Sequence, residues 1–284
     1  MLDGSTKVSA NQIRLEQVFS IERILKSRGF NIAEQGEATS TILPKQNWTY
    51  SEANAIFEAF DRPEIRACLM QLCKLSPDET LKRASSIVGG LPILINRQRF
   101  SHTYEWYIGV LIVRRFGAFS SSFGVIVRDI KRNHDRGNLG DYDVLTVMGD
   151  TSILYIECKT GKCDLHAIKQ TIERASALHV VASVILLDQG VSKKDLSQQI
   201  RAGSHPMLNI GNPLLHKISI NGVPNSLVYR WHDCFFLTGG EPRQIEQGLQ
   251  TILRLIAYDR IQFQESRAYN PVKLNLRGYV CEEI

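Results

Sequence analysis

Gly140-Asp141-Tyr142-Asp143-Val144-Leu145, and a little further on Tyr155-Ile156-Glu157-Cys158-Lys159-Thr160-Gly161, form the stretch on which the fold of this chain turns. Each half is a run of aromatic and β-branched residues, the composition of a strand, with charges set in at one end. A charge buried in a strand is costly unless it is paired or holds a metal. Between the halves lies Met148-Gly149-Asp150-Thr151-Ser152, a tight turn. With a three-residue loop at 149–151 and Met148 opposite Ser152, opposed positions sum to 300. Asp143 then falls across from Glu157, and Asp141 across from Lys159. Opposed residues of an antiparallel pair share a face, with Cβ atoms about 5 Å apart. Lys159 is two residues beyond Glu157 and shares that face as well. A two-residue loop would shift the register by one and scatter the group.

Two neighbouring carboxylates at the rim of a sheet favour a hard divalent cation, Mg²⁺ or Mn²⁺, to which the backbone carbonyl of Cys158 adds an oxygen. Such an ion polarises a phosphoryl oxygen and lowers the pKa of a bound water. A lysine beside it orients or deprotonates that water, or neutralises charge developing on phosphate. Hydrolysis of a phosphodiester bond needs this division of labour. Asp141 competes with Asp143 as the ligand, but Asp143 fits the hairpin better.

Outward from the hairpin, periodicity predicts a helix over 101–116 closed by Gly117, a strand over 122–130, the two hairpin strands over 142–148 and 152–159, an amphipathic helix over 164–179 and a strand over 180–187. Residues 131–140, KRNHDRGNLG, read as a polar, basic loop. Towards the amino terminus the first ~97 residues read as helical. Helices are expected over 11–28, stopped by Gly29, over 51–60 with Glu52 in the first turn, over 62–75 with Pro63 in the first turn, and from 76 to about Gly90. Residues 91–99 mark a shift in composition. Towards the carboxyl terminus, 205–213 read as a loop, 227–237 as strand and 242–258 as a helix begun by Pro242; 267–284 carry no assignable pattern.

Here the sequence resembles a known family. Tyr142-Asp143-Val144-Leu145 followed by Ile156-Glu157-Cys158-Lys159-Thr160-Gly161, in the order helix, strand, hairpin, helix, strand, is similar to the PD-(D/E)XK nuclease superfamily, with its restriction-endonuclease-like fold. Within it, the motif resembles most the Mrr-like restriction nucleases and the nuclease domain of cyclic-oligoadenylate-activated CRISPR ancillary nucleases. The resemblance covers about a third of the chain. Tyr142 stands where the strict motif has proline. The resemblance implies an α/β protein with a restriction-endonuclease-like core, a mixed central sheet flanked by helices, and a helical N-terminal extension. Together with the periodicity outside the hairpin, it divides the chain into a helical region at 1–97, the nuclease core at 98–200 and an α/β extension expected to pack on the core at 201–284.

It also implies a Mg²⁺- or Mn²⁺-dependent endonuclease, acting on DNA in preference to RNA, in a defence or mobile-element setting, and a homodimer. Its catalytic set is Asp143, Glu157 and Lys159, joined by Glu105 on the first core helix as a further metal ligand and Gln170 on the helix after the hairpin. Glu105 lies in an apolar segment, YEWYIGVLI; its alternative is a carboxylate paired with Arg114 or Arg115. Gln170 has a solvated helix surface as its alternative. In the basic loop Lys131, Arg132, His134 and Arg136 are candidate phosphate contacts, and a merely solvated loop reads the same. His166 and Lys169 read as solvent-facing. Trp231-His232-Asp233 has no nucleophile motif beside it.

A net charge of +5 suits a polyanionic partner without demonstrating one. The longest apolar run, 180–187, is far too short to span a bilayer. The start has no apolar leader segment, so a cytoplasmic protein is expected. Six cysteines form no CxxC pair and no zinc spacing, and read as reduced, buried thiols. Two rivals stand beside the nuclease: a catalytically silent nuclease fold that only holds nucleic acid or a partner, and an effector nuclease gated by a ligand.

Overall fold

A computed structural model describes residues 19–37, 48–73, 90–130, 138–160, 165–187, 196, 198, 216–218, 227–231, 233–238 and 242–267. The chain divides into two compact units, Met1–Ile156 and Glu157–Ile284. Its class is α/β, a mixed β-structure flanked by helices.

In the first unit four antiparallel strands follow chain order: β1 (Phe30–Glu37), β2 (Ser120–Asp129), β3 (Asn138–Val147) and β4 (Ile153–Lys159), whose last three residues belong to the second unit. The helices are α1 (Ile21–Ser27), α2 (Tyr50–Phe60), α3 (Pro63–Leu72), α4 (Leu91–Gln98) and α5 (Phe100–Phe116). α5 is buried all round from Thr103 to Val113 because it lies between two partners: β2 and β3 on one side, α2 and α4 on the other. A helix sandwiched in this way has no face to give to water, hence the unbroken apolar run. On the helical side its rings meet others. Phe57 lies edge-on to Trp106, and Phe60 stacks on Phe100. Gly117 ends α5 in the left-handed region, at φ 66°.

The hairpin has the loop the sequence demands. Met148 N donates to Ser152 O at 2.9 Å and Thr151 N to Met148 O at 2.8 Å, so 149–151 is a three-residue loop. Thr151 takes the left-handed conformation, φ 65°, that such loops require in their last position. Asp150 Oδ1 accepts from Ser152 N at 3.0 Å and fixes the turn further. The ladder from Val147↔Ile153 to Val144↔Ile156 keeps the sum of 300 throughout.

The second unit holds α6 (Leu165–Leu178), β5 (Ala182–Leu187), β6 (His216–Ile218), β7 (Leu227–Trp231), β8 (Cys234–Thr238) and α7 (Pro242–Arg267). β5 and β8 are parallel; β8 with β7 and β7 with β6 are antiparallel. Ile168 on α6 is buried with Ile185, Leu187, Tyr229 and Phe236, and Ile172 packs against them.

Four local expectations change. The helical reading of the first 97 residues misses β1: Asn31-Ile32-Ala33-Glu34-Gln35-Gly36-Glu37 lacks strand alternation, and its extended form comes from pairing along β2. Residues 91–98 are helix, not merely a shift in composition. The single strand expected over 227–237 is a hairpin, β7 and β8. β6, of three residues, has too little sequence to carry a period. The helix expected from residue 76, the loop at 205–213 and the tail at 268–284 lie outside the described residues.

Gly248 on α7 shows how tightly that helix meets β8. A Cβ there would lie 2.3 Å from Leu237 Cδ1, and Leu237 is fully buried in the core. Alanine favours a helix by about 1 kcal/mol over glycine, but overpacking a core costs ~1–3 kcal/mol. Gly248→Ala is therefore expected to lower stability by about 1 kcal/mol in urea unfolding, against the helix-propensity trend.

Candidate functional site

Glu105, on the first turns of α5, is 7% exposed. Its Oε2 lies 3.9 Å from where a Cβ of Gly124 would be, so the carboxylate rests over β2. Gly124 sits between the rungs Phe123↔Val144 and Val125↔Tyr142, which places it across from Asp143. Residues opposed on a ladder share a face, so Glu105 and Asp143 approach the same rung of the first unit. Gly124 has φ +55°, where a side chain is strained. Asp143 is half-buried in β3, while Asp141, two residues nearer the strand's open end, is exposed.

Both arginines considered as partners of Glu105 make bonds to the helical side. Arg114 Nη2 donates to Asn54 Oδ1 at 3.1 Å, and Arg115 Nη2 to Asp61 Oδ2. Tyr107 donates its phenol proton to Asp61 Oδ1 at 2.6 Å. Burial, and then that bond, hold the Tyr107 phenol far above its ordinary pKa, which makes it a permanent donor and no acid–base group.

The second unit carries Glu157, Cys158 and Lys159, the end of β4, together with α6. Glu157 is 2% exposed. Its Oε1 meets Lys159 Nζ, and its Oε2 faces Arg174 Nη1 of α6 at 3.7 Å. The two cations therefore approach one buried carboxylate from different elements, a strand and a helix. Gln170 lies four residues before Arg174 and shares its face of α6. Thr171 and Leu178, on the adjoining stripe, are buried, whereas Gln170 and Arg174 are half-buried. His166 and Lys169 are exposed, and Lys169 pairs with Glu173 at 3.8 Å.

The other side of α6 borders a concavity of about 430 Å³ lined by Ile172, Ala175, Ser176, His179, Trp231 and Asp233. Arg174 and Gln170 are not among its walls. Lys131, Arg132, His134 and Arg136 lie outside the described residues. Among the described residues no three His, Cys, Asp or Glu side chains gather as a ready-made metal cage. Arg174 is the residue that sequence reasoning missed. The available signal was its spacing of four from Gln170 on a helix whose apolar positions, Ile168 and Ile172, mark a different stripe.

Comparison with protein-family models and with curated proteins gives no match. Among solved structures, Can2 from Sulfobacillus thermosulfidooxidans in complex with cyclic tetra-adenylate is similar over 81% of this chain and 57% of that chain, with a TM-score of 0.42 and 10% identity. This chain thus spans less than two thirds of that one. A likeness of that degree bears on neither site nor substrate.

Removing the buried anion takes from Lys159 and Arg174 the carboxylate they share. Breaking a fully buried pair costs ~3–5 kcal/mol, and partial exposure of the two cations reduces that figure. Glu157→Ala is expected to lower unfolding stability by roughly 1–3 kcal/mol, with some recovery at high salt as the repulsion is screened. Equal or greater stability of the variant at low salt would show that the carboxylate does not hold these cations.

Proposed function

We propose that this chain is a Mg²⁺- or Mn²⁺-dependent nuclease that hydrolyses phosphodiester bonds in nucleic acid, DNA before RNA. The observation that carries the reading is Glu157: a carboxylate 2% exposed at the end of a strand, flanked by lysine and arginine, on a hairpin whose loop has the required length. A structural ion pair is ordinarily found at the surface; a buried carboxylate between two cations costs stability and is kept where charge has a task.

The register expected from the sequence sets Asp143 across from Glu157. In the proposal these two carboxylates and the Cys158 carbonyl hold the cation, with Glu105 as a further acceptor beside Asp143. The donor chemistry fits: Mg²⁺ is held by one or two carboxylates and keeps several waters, so no cage of three protein side chains is needed. When bound, the ion supplies Lewis acidity at the phosphoryl oxygen and a water of lowered pKa. Lys159 orients the attacking water with its ammonium and counters the charge that grows on the phosphate. Gln170 orients groups at the strand end from α6. Lys131, Arg132, His134 and Arg136 take the backbone phosphates beyond the cleaved bond.

Among the described residues no helix is long and apolar enough to cross a membrane. The reading adds a homodimer in the cytoplasm, working in defence against foreign DNA or on mobile elements, as the resemblance implies.

A cleavage panel tests the proposal, with supercoiled plasmid and with single- and double-stranded DNA and RNA, in Mg²⁺, Mn²⁺ or EDTA. Cleavage of DNA is expected with either metal and none in EDTA. Asp143→Ala, Glu157→Ala and Lys159→Ala are each expected to reduce it by about 10²-fold or more with the fold retained by circular dichroism. Binding without cleavage would identify the silent nucleic-acid-binding module instead. Cleavage that persists in EDTA, or in Glu157→Ala, would overturn the assignment.

A further inference from the structure

We propose that the concavity beside the C-terminal end of α6 is a binding site for a guanidinium group, held by the Trp231 indole, the Asp233 carboxylate and the His179 imidazole.

The cavity lies within the second unit, at the foot of the parallel pair β5–β8. Ala182 and Cys234, both buried, border it at the starts of these strands. Ile172 and Ala175 of α6 give it an aliphatic side. Trp231 borders it from the end of β7 and packs against the core cluster of Ile168, Tyr229 and Phe236, so the indole is held in place. The volume, about 430 Å³, falls in the ~300–1,000 Å³ range of small-ligand sites.

Charge at the rim favours a cation. Asp233 is exposed there, its backbone fixed by Ser183 N, which donates to Asp233 O at 2.9 Å. α6 runs for 14 residues and ends at the cavity, so its peptide dipoles add partial negative charge at that end. Neither lysine nor arginine is among the described walls. An indole ring also attracts positive charge. A phosphate or carboxylate is therefore unsuited to the site, and an organic cation is suited to it. Among organic cations the guanidinium matches best. It is flat, weakly hydrated and able to stack on aromatic rings, and its fork pairs with both oxygens of a carboxylate. A compact ammonium is more strongly hydrated, and aliphatic walls replace none of that water.

The backbone at His179 points the same way. Past Leu178 the chain closes α6 with two bonds, His179 N to Ser176 O and Val180 N to Ala175 O, each 3.2 Å. This is a Schellman closure, in which the left-handed residue is usually glycine. His179 takes that place at φ 50°. A side chain is strained there, and such strain persists where the side chain has a task. His179 stands exposed at the rim of the cavity, on the helix side. In its neutral form a ring nitrogen accepts an N–H of the fork that the carboxylate leaves over.

The test titrates the full chain by isothermal calorimetry. Butylguanidine offers the group on a free small molecule; a capped glycyl-arginyl-glycine tripeptide offers it on a peptide. Butylamine, inorganic phosphate and adenosine are the ammonium, anion and base probes. Guanidinium is expected to bind, butylamine about fivefold more weakly, and phosphate not at all. Asp233→Asn, at an exposed position, is expected to weaken guanidinium binding about tenfold. Trp231→Leu is expected to weaken it about fivefold; Trp231→Phe, with a smaller loss, serves if the leucine variant does not fold. His179→Gly is expected to weaken it about threefold while the thermal midpoint holds or rises, because glycine relieves the left-handed position. A histidine that only closed the helix would give that rise with no loss of affinity.

A preference for the tripeptide identifies a protein arginine as the occupant, and a preference for butylguanidine a free small molecule; either sustains the site. No binding of either overturns it, as does affinity unchanged in Asp233→Asn, or adenosine or phosphate bound in their place. Unchanged affinity in His179→Gly overturns the part given to the imidazole.

Discussion

One backbone hydrogen bond sets the terms for the site, that from Met148 N to Ser152 O. It closes a loop of three residues, and because side chains alternate along a strand, loop length decides which of them share a face. Thr151 takes a left-handed φ to achieve it, a conformation a β-branched residue adopts reluctantly, and Asp150 braces the same turn through Ser152. With one residue fewer, every side chain of β4 would exchange faces against β3. Glu157 and Lys159 would then leave the face that the sequence pattern assigns to them.

The second constraint is the cost of burying charge. Within unit 1, α5 brings a carboxylate to the rung that Gly124 and Asp143 define, although its neighbours Tyr104, Trp106 and Tyr107 are all apolar core. Arg114 and Arg115, a few turns away, bond Asn54 of α2 and Asp61. Within unit 2, Glu157 is matched by Lys159 and Arg174. Both units thus contain a carboxylate whose burial has no packing rationale, since an apolar residue of the same size would serve a core better. Sites of that kind are where local rules give way to chemistry.

Much of this was legible because it rests on local period and turn chemistry. α5 was readable from its apolar run and from Gly117, and α6 from Ile168 and Ile172. The hairpin register followed from counting residues across one loop. β1 and β6 were not readable, because their extended form comes from a neighbour's unpaired edge and not from their own side chains. The start of α2 was nearly so: the helix begins at Tyr50, one residue before the expected 51, and Thr49 accepts from Glu52 N and completes a capping box with the Glu52 side chain. Of the candidate site, the strand residues were visible as charges out of place in an apolar run. Arg174 was not, since a charge on a helix is unremarkable until its approach to Glu157 is known.

That asymmetry says something about how the site is built. Strand positions fix where negative charge must stand, because a strand end cannot move without breaking its ladder. The helix supplies a cation on a long side chain, which reaches the strand end while its own Cα stays packed. α6 is suited to this, since Ile168 and Ile172 bind it to the core and leave Gln170 and Arg174 on a stripe of their own. Within unit 2 strand and helix thus divide the work: β4 fixes the buried carboxylate of Glu157, and α6 brings a second cation to it.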